Sequence, residues 1–195
     1  MSNGIGDFLK IHLSIVGNVS HDVINDVVNT LSKAFHAEVS LSYVEVIPSD
    51  LYVPSRAQYR ADAVNLWLSS KFSNVLRRVN YLIALVEYDA YVPGLNFVFG
   101  LASPYLRLAS VYLHRLKFLL SPSTEGKRIF KERVRKEVMH EIGHLLGLNH
   151  CPNIYCVMHF SNSIMDTDRK SWKYCSSCAQ RIKSLGITLD NNYIL

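Results

Sequence analysis

The sequence predicts an α/β fold: a mixed β-sheet with backing helices, one metal-bearing helix and an irregular C-terminal part. Three observations carry this expectation. Strand and helix patterns alternate through the first half, an uninterrupted apolar run spans Asn80 to Glu87, and histidines at helical spacing lead into a cluster of cysteines. At 195 residues and 49% hydrophobic, the chain can bury a full core, and one domain is the natural count. The expected unit is 1–195, with an N-terminal subdomain over 1–147 and a C-terminal subdomain over 148–195.

Taken in order, Phe8 to Val16 alternates and is rich in β-formers, so a strand should end at Gly17. Residues 21–36 place Ile24, Val27, Val28, Leu31 and Phe35 at helical spacing. Ala37 to Ile47 alternates again, with Val39, Leu41, Tyr43 and Glu45 on one face. Strand, helix and strand at this length form a βαβ unit with a parallel pair. After a loop from Pro48 to Pro54, a second helix is expected from about Arg56 to Leu76, burying Ala61, Val64, Leu68 and Phe72. The run Asn80 to Glu87 reads as a central strand covered on both faces.

Turn chemistry follows in Asp89 to Gly94, then a short strand near Asn96 to Gly100 and another over Ala109 to Arg115. Residues 94–100 are the candidate edge strand for binding an extended peptide, although glycines also blunt ordinary edges. Ser121-Pro122-Ser123 makes a helix start, and this helix should run to the histidines. Beyond Gly147 only Ser177 to Leu185 is periodic enough for a helix.

The formal net charge is +5, from scattered residues such as Arg77, Arg78, Lys127, Arg128, Arg133, Arg135 and Lys136. No recognition motif accompanies this charge, so a solvated helix face explains it better than nucleic acid does. The first ten residues lack a basic stretch followed by an apolar one, and no run of eighteen apolar residues suits a membrane span. A cytoplasmic protein without a leader or pro-segment is the expectation.

The chemistry concentrates in Glu137 to Cys151. His140 and His144 lie four apart, so a helix stacks them on one face, where two imidazoles can grip one metal ion. Glu141 follows on a neighbouring face and can reach a water activated by the metal without ligating it. Gly147 can end the helix in a left-handed turn, letting the chain deliver His150 as a third ligand. Three neutral ligands leave the fourth zinc position open, as a catalytic site requires. The pattern H-E-x-x-H-x-x-G-x-x-H is the metzincin form of the zinc-protease motif, and all five specified positions match.

Cys151, Cys156, Cys175 and Cys178 all fall in the last quarter of the chain. In a reducing compartment such clustering favours a closed, structural four-cysteine zinc site over two disulfides or free thiols.

The run from His140 to Cys178 resembles the archaemetzincins, zinc metallopeptidases whose extended motif joins H-E-x-x-H-x-x-G to four spaced cysteines. The matching residues are His140, Glu141, His144, Gly147, Cys151, Cys156, Met158, Cys175 and Cys178. The gap between Met158 and Cys175 is sixteen residues, one shorter than the family pattern. The resemblance implies a compact metzincin-like fold, a catalytic zinc on His140, His144 and His150, and a structural zinc on the four cysteines. It gives Met158 the role of an apolar floor beneath the histidines, with Met165 as runner-up.

The expected activity is peptide hydrolysis, with Glu141 as general base and peptides or proteins as substrates. No oxyanion stabiliser is evident; His159 and Tyr155 are the nearest candidates in sequence. The alternative is a zinc-stabilised protein that binds peptides or another partner with little or no turnover. A zinc-ribbon nucleic-acid module has only the cysteines and the charge in its favour. Substrate sequence and oligomeric state are not readable.

Overall fold

A computed structural model describes residues 8–195; the expectation about a leader falls largely on residues 1–7, outside the described part. The first half of the chain contains β1 (Lys10–Val16), α1 (His21–Phe35), β2 (Glu38–Val44), β3 (Tyr52–Val53), β4 (Gln58–Arg60), α2 (Ala61–Lys71) and α3 (Ser73–Leu76). Then come β5 (Tyr81–Val86), β6 (Ala90–Tyr91), β7 (Gly100–Ser103), β8 (Leu108–Tyr112), α4 (Thr124–Leu145), α5 (Ile164–Arg169) and α6 (Ser176–Ser184).

The main sheet has the order β2-β1-β5-β8-β7. β2, β1, β5 and β8 pair in parallel, and β7 joins β8 antiparallel at the edge. The three inner strands are almost wholly buried because both faces are covered, which is why they read as apolar runs. Ile11, Leu13, Ile15, Ile83, Leu85 and Val111 face one core with Val27 and Leu31 of α1 and Val134, Val138 and Met139 of α4. The alternate residues Val16, Leu82, Ala84, Val86 and Leu108 face a second core with Val64 and Leu68 of α2 and with Phe72. At the far edge β2 is less covered: Leu41 and Tyr43, which share a face as expected, are 43% and 61% exposed.

Several boundaries differ from expectation for identifiable reasons. The helix expected from Arg56 begins at Ala61, because Ala57 turns the chain with φ +53° and Gln58–Arg60 joins β3 and β6 in a small second sheet. The expected edge strand over 94–100 is a loop, and the edge strand is Gly100–Ser103. Carbonyls that a strand would use are taken instead: Arg56 donates to Leu95 and Asn96, and Gln58 Nε2 donates to Asn96 at 3.0 Å. The Arg115 guanidinium, bound to Asp89, also lies 4.5 Å over the Phe97 ring.

α4 starts where Ser123 caps it, accepting the Gly126 N–H at 3.0 Å. Of its basic residues, Lys127 and Arg128 are exposed, as a solvated face requires, but those nearer the histidines are not. Arg133 is buried and holds Asp168 through two 2.7 Å bonds together with the carbonyls of Leu116 and Phe118. Arg135 binds Asp26 and stacks on Trp172, and buried Lys136 reaches Glu132. α5 was not expected; its start signal is a capping box between Ser163 and Asp166. Among the described residues no helix is long and apolar enough to cross a membrane.

Candidate metal centres and catalytic cleft

α4 packs against β5, β7 and β8, so its last turns lie beside the edge of the sheet. His140 and His144 project from there, and Gly147, with φ +82°, turns the chain so that His150 returns to them. One ring nitrogen from each histidine lies within 4.8 Å of the others. His140 Nδ1 donates to the Val157 carbonyl at 2.7 Å, and His144 Nδ1 donates to the Leu148 carbonyl at 2.8 Å. A carbonyl can only accept, so both Nδ1 atoms carry the proton and both Nε2 lone pairs are free.

Those two Nε2 atoms face each other at 3.0 Å. Two lone pairs held so close repel unless a cation lies between them, so the donor set fits a metal ion. Burial is the first cause lowering the pKa of all three histidines, and the Lys170 charge adds to it. Each is thereby kept in the neutral form that ligates metal. His150 is exposed and its ring packs 4.8 Å from Phe160.

Glu141 is buried against β7. A Cβ added at Gly100 would meet its Oε1 at 2.3 Å, so a residue without a side chain is what lets the edge strand pass this close. Burial, then the Glu137 carboxylate, raise the Glu141 pKa to about 8, while Lys170 and the Ala102 N–H oppose them. A divalent cation at the histidines acts in the same sense as Lys170.

The four cysteine sulfurs also lie within 4.8 Å of one another, with Cys151 and Cys175 at 3.8 Å. Four bonds of about 2.3 Å at tetrahedral angles put sulfurs roughly 3.8 Å apart, so this set fits one zinc with no open position. Burial pushes the Cys156 thiol up to about 11 and the Cys178 thiol higher, a cost that a bound cation offsets. The histidine and cysteine sets are together compatible with two zinc ions per chain.

The segment between them links the sites. Cys156 belongs to the sulfur set, Val157 holds His140, and the Met158 sulfur sits where a Cβ on Gly143 would be, 2.3 Å away. Met158 is thus packed against the helix between His140 and His144, whereas Met165 is 60% exposed. The Tyr174 hydroxyl donates to the Met139 carbonyl at 2.6 Å, fastening the cysteine segment to α4.

A cleft of about 620 Å³ opens over the histidines, with Phe97, Phe99, Leu101 and Phe160 among its walls. Tyr155 and His159 do not line it: Tyr155 is 59% exposed, and His159 Nδ1 is occupied by the Cys151 carbonyl at 3.1 Å. Glu137 and Lys170 do line it, and the sequence reading missed both. Glu137 could have been found, since it lies one turn before His140 and Glu141 on the same helix; Lys170 carries no local signal.

The family model described as Peptidase family M54 matches residues 10–184. The archaemetzincin of Pyrococcus horikoshii is 42% identical over 171 residues, covering 84% of this chain and 89% of the relative. That of Aeropyrum pernix is 45% identical over 135 residues, covering 69% and 70%. The crystal structure of archaemetzincin from Methanopyrus kandleri superposes with a TM-score of 0.79 at 31% identity, covering 94% of this chain and 98% of that one. The malonate complex of archaemetzincin from Archaeoglobus fulgidus gives 0.73 at 34% identity, covering 89% and 99%. A match through nearly the whole length, on a cleft with this donor set, places the chain in peptidase family M54, the archaemetzincins, as a zinc metallopeptidase.

Proposed function

We propose that His140, His144 and His150 hold the catalytic zinc, that Glu141 is the general base, and that Cys151, Cys156, Cys175 and Cys178 hold the structural zinc. The observation that carries this reading is the convergence of two proton-free Nε2 atoms at 3.0 Å in a cleft that Glu141 also lines. When bound, zinc supplies Lewis acidity, lowering the pKa of water toward neutral and polarising a scissile carbonyl. Glu141 takes the proton of the attacking water and returns it to the leaving amine, which splits the peptide bond into acid and amine. The Ala102 backbone beside Glu141 favours the ionised form that this role needs.

Gly147 serves as the turn that returns His150, and Met158 as the apolar floor of a metzincin-type site. The substrate lies along the open edge of β7 as an added strand, its main chain setting the register. The chain acts as one unit over 1–195, in which 148–195 fastens the ligands carried by 1–147, and it works in the cytoplasm.

The test is Glu141→Gln. It should retain zinc and lose cleavage by roughly 10²–10⁴-fold. A variant that keeps its zinc and cleaves peptides at the wild-type rate would refute Glu141 as the base.

A further inference from the structure

Lys170 and Glu137 form an ion pair at 3.0 Å, with side chains 0% and 4% exposed, in the wall of the cleft. The Thr167 hydroxyl donates to the same Glu137 oxygen at 3.2 Å, and Lys170 Nζ also donates to the His159 carbonyl at 3.4 Å. The lysine therefore joins two pieces of the site. One is α4, through a glutamate one turn before His140 and Glu141. The other is the segment that supplies Val157 O to His140 and the Met158 sulfur to Gly143.

The lysine is itself held firmly. It directly follows α5, which is capped by Ser163 and tied to α4 by the pairing of Asp168 with Arg133. A buried ion pair is a poor choice if stability is the only requirement, because apolar side chains of similar volume serve as well or better. Here the pair also offsets charge, since Glu137 and Glu141 are two buried carboxylates one turn apart on the same helix.

We propose that Lys170 and Glu137 are positioning residues for peptide hydrolysis, latching the 157–159 segment onto α4 so that His140 and Glu141 keep their reactive placement. This rests on the zinc-peptidase reading above. The latch works through charge and direction, not through the volume of the two side chains.

The experiment compares wild type, Lys170→Met, and Lys170→Met combined with Glu137→Met. It reads kcat and KM on a cleaved peptide, unfolding temperature, and the rate at which a chelator strips cobalt from the histidine site, followed apart from the thiolate absorption. Lys170→Met should lower the unfolding temperature and reduce kcat about tenfold or more, with KM within about twofold. The double variant should regain the unfolding temperature, yet keep the kcat loss and release cobalt from the histidines about tenfold faster. A double variant matching wild type in kcat and metal release, or one altered only in KM, overturns the proposal. If the single variant does not fold, the double variant decides alone. A Glu141→Gln protein that still cleaves would instead sink the underlying mechanism, and metal release would still judge the latch.

Discussion

Glu141 and Gly100 are two halves of one contact. The carboxylate occupies space that any Cβ on residue 100 would enter, with Glu141 Cγ itself only 2.6 Å from that position. Swinging the carboxyl tip aside cannot relieve this clash, so Gly100→Ala must displace either Glu141 or the edge strand. We expect kcat/KM to fall about tenfold to a hundredfold, because misplacements near 1 Å cost that much. The unfolding temperature should change little, and steady-state kinetics with a thermal melt check both. That Glu141, His140 and His144 share one end of a helix was legible in the sequence, since a fixed helical spacing needs no tertiary information. Gly100 was legible only as a glycine: its reason lies 41 positions further along, in a residue that only the folded chain brings near.

At the scale of elements, the segment from Cys151 to His159 connects two metal centres. Cys151 N–H donates to the Met158 carbonyl at 2.9 Å, and Val157 N–H donates to Lys173, two residues before Cys175. His150 and Cys151 are adjacent in the chain, which gives one route of coupling. The structure adds a second route through Cys156, Val157 and His140. Cys151→Ser should therefore reduce zinc occupancy or activity at the histidine site as well as at the cysteines. Normal metal affinity at the histidines in that variant, measured by chelator competition, would separate the sites. Removing the Tyr174 hydroxyl should loosen the same segment more gently. Tyr174→Phe leaves the Met139 carbonyl without that partner, at a cost of about 1–3 kcal/mol, visible as a lowered melting temperature.

The legibility of the elements themselves was uneven. β1, α1, β5 and α4 follow from local periodicity and caps, and they form where expected. The edge strand was displaced because Arg56 and Gln58, far away in sequence, capture the carbonyls of residues 95 and 96. The two-residue strands β3 and β6 leave no periodic trace at all.

At the scale of the molecule, the sheet is a platform that sets α4 beside an open edge strand, and the C-terminal part closes around the helix end. Long-range polar contacts do this closing: Tyr174 to Met139, Arg133 to Asp168, and Lys170 to Glu137. None of these could be read from spacing, because buried charges are chosen by the partner that the fold presents. The metals hold the same region together, so chelation should lower the unfolding temperature, and zinc should restore it.

The measurement that bears most directly on the central claim is zinc content determined together with peptide-library cleavage on one preparation. Two zinc ions per chain, with cleavage abolished by chelator and restored by zinc, is the predicted result. Two zinc ions with no cleavage of any peptide, or cleavage that survives complete removal of the metal, would contradict it.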